Sequence, residues 1–366
     1  MLVYLGIDLT VLLLGIMLSR SKVSMGRRII DGNKCFFILI ASVLLFFSAF
    51  RGDFSADYNG YAREIWLRFS NYSIKDIINR GYNSNPEPGY LLFQYFVKQL
   101  TNNSLFIFVF SSLLIVASNL KEIKRSGVLP YLGVFLFVEV GNYYESFNLM
   151  RQVMSASIII LGSKYLFERK FWKYIIIVLI ASTFHISALI MIPFYFVCGI
   201  KLGKKSLIIY PIAMFLLLFA QDRLMAFTGQ YIWSWYDVSL GGYSWKNIIA
   251  GGLVAILGLS LYYTNTKSDV ITSNDNSSGG VIDFQLEDNI YLSSTYFCLL
   301  FLLMGLYFSY SKRFSSYFSL YSICFCCRQI ERSHLKNALI LALIVFYIVF
   351  GFVTKLSLPY YFIWNN

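Results

Sequence analysis

Long apolar runs, separated by short polar or basic links, recur along nearly the whole chain of 366 residues. Many of these runs are long enough to cross the ~30 Å of hydrocarbon in a bilayer as α-helices. The pattern therefore predicts an all-α bundle with many membrane spans. The candidate spans are Leu2–Ser19, Cys35–Phe50, Leu105–Leu120, Val128–Gly141, Val153–Phe167, Tyr174–Gly199, Ser206–Ala220, Ile248–Tyr263, Ile290–Phe308, Phe314–Cys327 and Asn337–Val353.

The composition supports a chain that is embedded in a membrane. Hydrophobic residues make up 57% of the chain and charged residues 14%, with a mean hydropathy of +0.61. In typical soluble domains, charged residues make up about 25%. The net charge of +12 comes from Lys and Arg residues that fall mostly in the links between apolar runs. Because cytoplasmic loops are enriched in basic residues, this distribution predicts an integral membrane protein without a nucleic-acid partner.

The six cysteines lie in or beside predicted spans, so a disulfide framework of the secreted type is not expected. The cluster "CFCC" (Cys324–Cys327) precedes His334, but its spacing matches no standard zinc finger. We therefore expect neither a structural metal nor another cofactor.

The basic links predict how the spans are oriented. They are "RSKVSMGRRIIDGNK", "KEIKRSG", "FERKFWK", "KLGKK" and "CRQIERSHLK". All of them become cytoplasmic if Tyr174–Gly199 enters and leaves the membrane on one side, as two shorter helices that meet near "TFHIS". The same arrangement makes Glu87–Leu100 an interfacial or re-entrant helix, preceded by a chain break at Pro86 and Pro88. It predicts about eleven or twelve spans plus this re-entrant element.

A single transmembrane domain is predicted over residues 1–366. Residues 51–86 and 221–247 are predicted to form loops on the outer side. Residues 264–289 are rich in Ser, Asn, Asp and Gly, and this composition predicts a flexible cytoplasmic loop.

In this topology, the polar residues that interrupt apolar segments share the outer side of the membrane. Ionisable groups at membrane depth are costly to keep, which favours a functional interpretation. His185 is one of only two histidines and lies within the apolar run "FHISALIMIPF". Asn148, Arg151 and Gln152 are predicted on the first turns of one span, at neighbouring positions of one helical face. The other outer residues are Arg51, Asp57, Glu87 and Arg313.

This set of side chains suits one kind of chemistry. The planar guanidinium of arginine binds phosphate oxygens in pairs and keeps its charge, so several arginines at one membrane face fit a pyrophosphate. A neutral His185 or the Glu87 carboxylate can accept a proton from an attacking hydroxyl. Arginines also stabilise a leaving group where charge develops. The set therefore predicts transfer of a group from a lipid pyrophosphate.

Five ordered segments carry a family resemblance: "FRGDFSADYNGY", "NPEPGYLLF", "FNLMRQVMSASIII", "FHISALI" and "SKRFSSYF". Together they resemble the EpsG family of bacterial polysaccharide polymerases, which includes Wzy-type O-antigen polymerases. The resemblance covers most of the chain and implies a GT-C-like, metal-independent glycosyltransferase of the bacterial inner membrane, with its active site facing the periplasm. Such an enzyme moves a growing chain from undecaprenyl pyrophosphate to the non-reducing end of a fresh lipid-linked repeat unit.

The resemblance also implies site residues and partners. Within the carried-over set, Arg151 and Arg313 are expected on the pyrophosphate, with His185 or Glu87 as the base. The residues expected to bind substrate or shape its cavity are Arg51, Asp57, Asn148 and Gln152. The expected partners are oligosaccharides linked to undecaprenyl pyrophosphate, membrane lipid and a chain-length regulator of the Wzz type.

Three other functions fit parts of the pattern. A flippase for the same lipid-linked sugars would also need cations in a cavity, but two homologous halves would be expected and no clear internal repeat is present. An O-antigen ligase shares the donor, but its main outer loop is expected late in the chain, whereas the larger outer loop predicted here is early. A metal-dependent transferase would use Asp53 and Asp57.

Overall fold

Helices dominate the described part of the chain, as the apolar pattern predicts. The computed structural model describes residues 2–19, 21–25, 28–53, 56–80, 86–200, 205–220, 223, 245–272, 281–306, 311–355, 360 and 362. The chain divides into two compact units, Met1–Met191 with Leu335–Asn366, and Ile192–His334. The expectation of a single transmembrane domain stays a prediction.

The first unit contains most of the helices and one short hairpin. Its α-helices are Leu2–Leu18, Gly32–Ala49, Ala56–Asn59, Trp66–Phe69, Ile74–Asn79, Pro88–Leu100, Phe106–Ser126, Pro130–Glu139, Asn142–Glu145, Met150–Leu161, Ser163–Phe167, Phe171–Ser182 and Lys336–Lys355. A π-helical turn spans Gly60–Ile65, and a 3₁₀ turn spans Ile186–Ile190. The strands Lys22–Met25 and Arg28–Asp31 pair antiparallel, which the apolar pattern did not predict.

The second unit contains longer helices tied by ion pairs and aromatic contacts. Its helices are Ser206–Phe219, Trp245–Thr272, Val281–Met304, Ser311–Ser315 and Ser319–Arg332, and Met191–Val197 joins the two units in sequence. Arg328 pairs with Glu287 at 2.7 Å and with Asp288 at 3.3 Å. These pairs connect the Val281–Met304 and Ser319–Arg332 helices, because Arg328 lies on the second and both carboxylates on the first.

The two predicted loops in the second unit are only partly described. Helix continues to Thr272 and resumes at Val281, so the link inside the predicted 264–289 loop is shorter than expected. The residues between these helices lie outside the described part of the chain. The predicted outer loop at 221–247 also lies outside it, except for Arg223 and the helix that begins at Trp245.

Four of the described helices are long and apolar enough to cross a membrane. They are Gly32–Ala49, Phe106–Ser126, Lys336–Lys355 and the 18-residue stretch Ile248–Asn265. Several other apolar helices have 10–17 residues. These features fit a helical membrane protein with many passes, whereas the count of about eleven or twelve spans stays a prediction.

The predicted break inside the Tyr174–Gly199 run is confirmed. The first helix ends at Ser182, and the 3₁₀ turn begins at Ile186. The intervening residues include His185, whose backbone is extended with φ −158° and ψ 119°. The His185 imidazole therefore lies at the junction of two short helical segments, and a junction there is what the distribution of basic links predicts.

Candidate functional site

Three of the predicted site residues meet in one polar cluster, formed by Glu87, Arg151 and His185. Arg151 Nη1 donates a hydrogen bond to Glu87 Oε2, and the two side chains form an ion pair. His185 Nδ1 lies 2.9 Å from Glu87 Oε1. Glu87 therefore uses one oxygen for each partner. The sequence predicted these residues on one side of the membrane, and the structure brings their side chains into contact.

Glu87 is placed by the start of a helix. It is the residue that precedes Pro88–Leu100, with φ −66° and ψ 153°, and Pro88 occupies the first helical turn. Proline is favoured there because the missing N–H has no helical acceptor and its fixed φ suits the helix. The Glu87 side chain makes no capping bond to this helix and points to Arg151 and His185 instead.

Gly89 allows this helix to approach the break before His185. Its N–H donates to the carbonyl of Thr183 at 2.8 Å. A Cβ on Gly89 would lie 2.1 Å from Thr183 Oγ1, well inside contact distance. Only glycine fits this approach without movement, and the approach places Glu87 beside His185.

The helix break is also tied to the helix that carries Arg151. Ser155 Oγ, one turn after Arg151, donates to the carbonyl of Ala181 at 2.8 Å. The same hydroxyl lies 3.5 Å from the carbonyl of His185. Both carbonyls also accept backbone N–H bonds around the break, so the Ser155 hydroxyl adds a tertiary contact that ties the break to the helix carrying Arg151.

Arg151 is positioned by the segment that follows the Gly32–Ala49 helix. Asp57 Oδ2 accepts a hydrogen bond from the N–H of Met150 at 2.9 Å, which caps the first turn of the Met150–Leu161 helix. Tyr61 lies four residues after Asp57, and its hydroxyl accepts from Arg151 Nε at 2.7 Å. Asp57 therefore fixes the backbone of Met150, next to Arg151, and Tyr61 fixes the Arg151 side chain.

The cluster is mostly enclosed but still reachable. The side chain of Glu87 is 5% exposed, that of His185 15% and that of Arg151 18%. Among the described residues, His185 Nε2 and Arg151 Nη2 make no hydrogen bond. Burial raises the pKa of the Glu87 carboxyl, but the hydrogen bond with His185 and the charge of Arg151 outweigh it and hold the pKa below its ordinary value. The carboxylate is therefore ionised at neutral pH.

Arg51 is buried at the start of the helix that carries Arg151 and is 1% exposed. Its guanidinium donates to the carbonyl of Ser48 at 2.6 Å and lies 4.4 Å from the Phe108 ring centroid and 4.9 Å from that of Phe147. Cation–π contacts of this kind stabilise a buried guanidinium. Arg51 Nη2 lies 3.9 Å from Met150 Sδ, at the first residue of the helix that carries Arg151. Substrate binding by Arg51 stays a prediction.

Three other predicted residues lie outside the contacts that form the cluster. The helix begins at Met150, so the expectation that Asn148 lies on its first turn is wrong: Asn148 is exposed, in the preceding turn. Gln152 is on the helix as predicted and is 3% exposed. Arg313 is half-buried in the Ser311–Ser315 helix of the second unit, and its expected role stays a prediction.

Three residues that build the site were not predicted from the sequence: Tyr61, Gly89 and Ser155. Tyr61 had a usable signal, because a spacing of four residues from Asp57 places both side chains on one face if the segment is helical. Gly89 and Ser155 had none, since their importance depends on which backbone lies against them.

Asp53 and Asp57 have separate partners. Asp53 accepts from Asn59 Nδ2 at 2.6 Å and lies 3.8 Å from Arg63, whereas Asp57 caps the Arg151 helix. Within the described ranges, no three His, Cys, Asp or Glu side chains form a metal-ligand group. A metal-dependent reaction centred on the two aspartates therefore gains no support from their positions.

The comparisons with known proteins agree with the resemblance seen in the motifs. The model of the EpsG family matches residues 34–365, nearly the whole chain, and includes every residue of the cluster. No curated protein and no solved structure matches the chain significantly. The chain belongs to the EpsG family, a family of Wzy-like polymerases.

Proposed function

We propose that this protein polymerises oligosaccharide repeat units that are carried on undecaprenyl pyrophosphate, at the outer face of the bacterial cytoplasmic membrane. The family supports a Wzy-like polysaccharide polymerase. One observation supports the proposed transfer from a lipid pyrophosphate: Glu87 binds the Arg151 guanidinium with one oxygen and the His185 imidazole with the other. A cation for a diphosphate and a base for a hydroxyl are thereby held by one carboxylate.

The proposed base is His185. Its Nδ1–H donates to ionised Glu87, which leaves the lone pair of Nε2 to accept a proton. Both Glu87 oxygens already accept hydrogen bonds, so Glu87 is the less suitable base and serves to orient and stabilise the imidazole. A carboxylate in this position also stabilises the imidazolium that forms during proton transfer.

The proposed reaction is a single displacement at a sugar. A hydroxyl at the non-reducing end of a lipid-linked repeat unit attacks the anomeric carbon of the growing chain and gives its proton to His185 Nε2. The bond from that carbon to the pyrophosphate oxygen breaks, and its electron pair leaves with undecaprenyl pyrophosphate. Arg151 supports this step because a guanidinium stabilises the charge that develops on the leaving group without a bound metal ion. Arg313 lies in the second unit, and its expected role on the pyrophosphate stays a prediction.

Complementation of a deletion strain tests the proposal. Strains carrying Arg151→Ala or His185→Ala should show surface polysaccharide of a single repeat unit, and wild type should restore the ladder of long chains. Arg151→Lys should also fail, because an ammonium cannot supply the paired donors of a guanidinium. His334→Ala and Arg68→Ala are matched controls, since both residues are exposed and lie outside the cluster.

The same gel separates the alternative functions. Loss of a flippase leaves no repeat unit at the surface, and loss of a ligase leaves long chains on the lipid carrier. Full ladders in both Arg151→Ala and His185→Ala strains, with the variants present in the membrane at wild-type levels, would overturn the proposed site.

A further inference from the structure

A second group of ionisable side chains lies in the first unit, away from the Glu87 cluster. It joins Asp8 of the Leu2–Leu18 helix, Glu139 at the end of the Pro130–Glu139 helix and Lys355 at the end of the Lys336–Lys355 helix. Lys355 forms an ion pair with Glu139. Asp8 is 4% exposed, and the side chains of Glu139 and Lys355 are 2% and 13% exposed. Three separate helices therefore meet at buried charge.

The charges of this group do not balance. It holds two carboxyl groups and one ammonium, so full ionisation would leave one buried negative charge, which is costly without a partner. The three helices pack against one another, and Lys355, which pairs with Glu139, also lines the cavity beside Asp8. One ammonium cannot neutralise two buried carboxylates, whereas a protonated carboxyl is neutral and can donate a hydrogen bond. The group is therefore neutral only if one of its two carboxyls holds a proton.

The cavity beside Asp8 is too small for most cations that could neutralise the second carboxylate. Asp8 Oδ1 is buried and receives no hydrogen bond from the described residues. It lies beside a cavity of about 10 Å³ that is also lined by Tyr4, Gly351 and Lys355. This volume holds about one water molecule. A metal cation there would have few oxygen ligands and would lie against the Lys355 ammonium, so a proton is the better-fitting ligand.

We propose that Asp8 and Glu139 share one proton at neutral pH, and that with Lys355 they form a buried proton-binding site without net charge. The other titratable groups that face it are Tyr4 and Tyr144, and the Lys355 Nζ lies 4.3 Å from the Tyr144 ring centroid. The bound proton keeps the three helix segments together, because its loss leaves an unpaired carboxylate between them. This site is separate from the proposed polymerase reaction and does not depend on it.

Infrared spectroscopy of the purified protein in lipid nanodiscs tests the proposal. A protonated carboxyl has its own carbonyl stretch, which shifts when H₂O is exchanged for D₂O. At neutral pH, wild type should show this band, and Asp8→Asn should lose it. Asp8→Asn should fold as wild type does, because a neutral amide replaces a neutral carboxyl of the same shape and leaves Glu139 paired with Lys355. Glu64→Gln, at an exposed position, should keep the band.

Each outcome decides the proposal. Loss of the band in Asp8→Asn, with the same band in sodium and in choline buffers for wild type, supports a shared proton. Absence of the band in wild type, its persistence in Asp8→Asn, or its suppression by sodium would overturn it. Failure of Asp8→Asn to accumulate in the membrane would also overturn it, because an ionised Asp8 would then be required.

Discussion

Replacing Glu87 by Gln keeps the shape of the side chain and removes its charge. In the native cluster both carboxylate oxygens accept hydrogen bonds, one from Arg151 Nη1 and one from His185 Nδ1. A glutamine amide has one acceptor oxygen and an NH₂ group that only donates. One of the two partners must therefore face a donor in Glu87→Gln.

Either orientation of the amide removes one function. If the oxygen faces Arg151, the NH₂ faces His185 Nδ1, which must then accept, so that Nε2 carries the proton and cannot act as a base. A general base contributes about 100- to 10,000-fold to a rate. If the oxygen faces His185, Arg151 loses a charge-assisted hydrogen bond worth about 1.5–3 kcal/mol. We therefore expect Glu87→Gln to lower the polymerisation rate, by at least ~100-fold if the amide NH₂ faces His185 and the base is lost.

The assay is chain extension by the purified protein in nanodiscs, supplied with repeat units on undecaprenyl pyrophosphate. Glu64→Gln is the matched control, since it makes the same chemical change at an exposed position. Thermal unfolding of both variants checks that the fold persists. A Glu87→Gln protein that extends chains at the wild-type rate would refute the role given to this carboxylate.

Three further changes test how the cluster is held. Tyr61→Phe removes the hydroxyl that accepts from Arg151 Nε at 2.7 Å, and we expect a rate about tenfold lower on the same assay, the equivalent of about 1.4 kcal/mol. Gly89→Ala places a Cβ 2.1 Å from Thr183 Oγ1, and the forced shift should cost about 1–3 kcal/mol of unfolding free energy, measured by denaturant unfolding. The pKa of the Glu87 carboxyl is held below its ordinary 4.5. The free energy of unfolding that the ionised carboxylate contributes should therefore be fully present above that pH and be lost as the pH falls through the lowered pKa. Acid unfolding of Glu87→Gln should lack this contribution.

Each of these has a contrary result. A fully active Tyr61→Phe would mean that Arg151 is held by Glu87 alone. Unchanged unfolding of Gly89→Ala would mean that the Pro88–Leu100 helix does not lie against Thr183. Identical acid unfolding of wild type and Glu87→Gln would mean that the lowered pKa of Glu87 does not contribute to stability.

The helices and the break at His185 could be predicted because they follow from local sequence and membrane energetics. Apolar length marks the helices. The basic links on both sides of Tyr174–Gly199 require a chain reversal inside one apolar run, and the structure has non-helical backbone there. Pro86 and Pro88 likewise marked the start of the helix that Glu87 precedes.

The pairing within the site could not be predicted in the same way. The Met150–Leu161 helix begins where Asp57, 93 residues earlier in the chain, caps it. The local pattern contains no such long-range cap, so it predicts Asn148 on the first turns of the helix, whereas the helix begins at Met150. The Asp8–Glu139–Lys355 group was missed for a related reason: its members lie on three different helices, and each looks like an isolated polar residue in its own segment.

The most direct test of the central claim is a double-mutant cycle on the chain-extension rate, with Glu87→Gln, His185→Ala and the double variant. If Glu87 acts by orienting His185, the double variant should lose about as much activity as the more severe single variant, because residues that act as a unit are not additive. Losses that multiply in the double variant would show that the two side chains act independently, and would contradict the account.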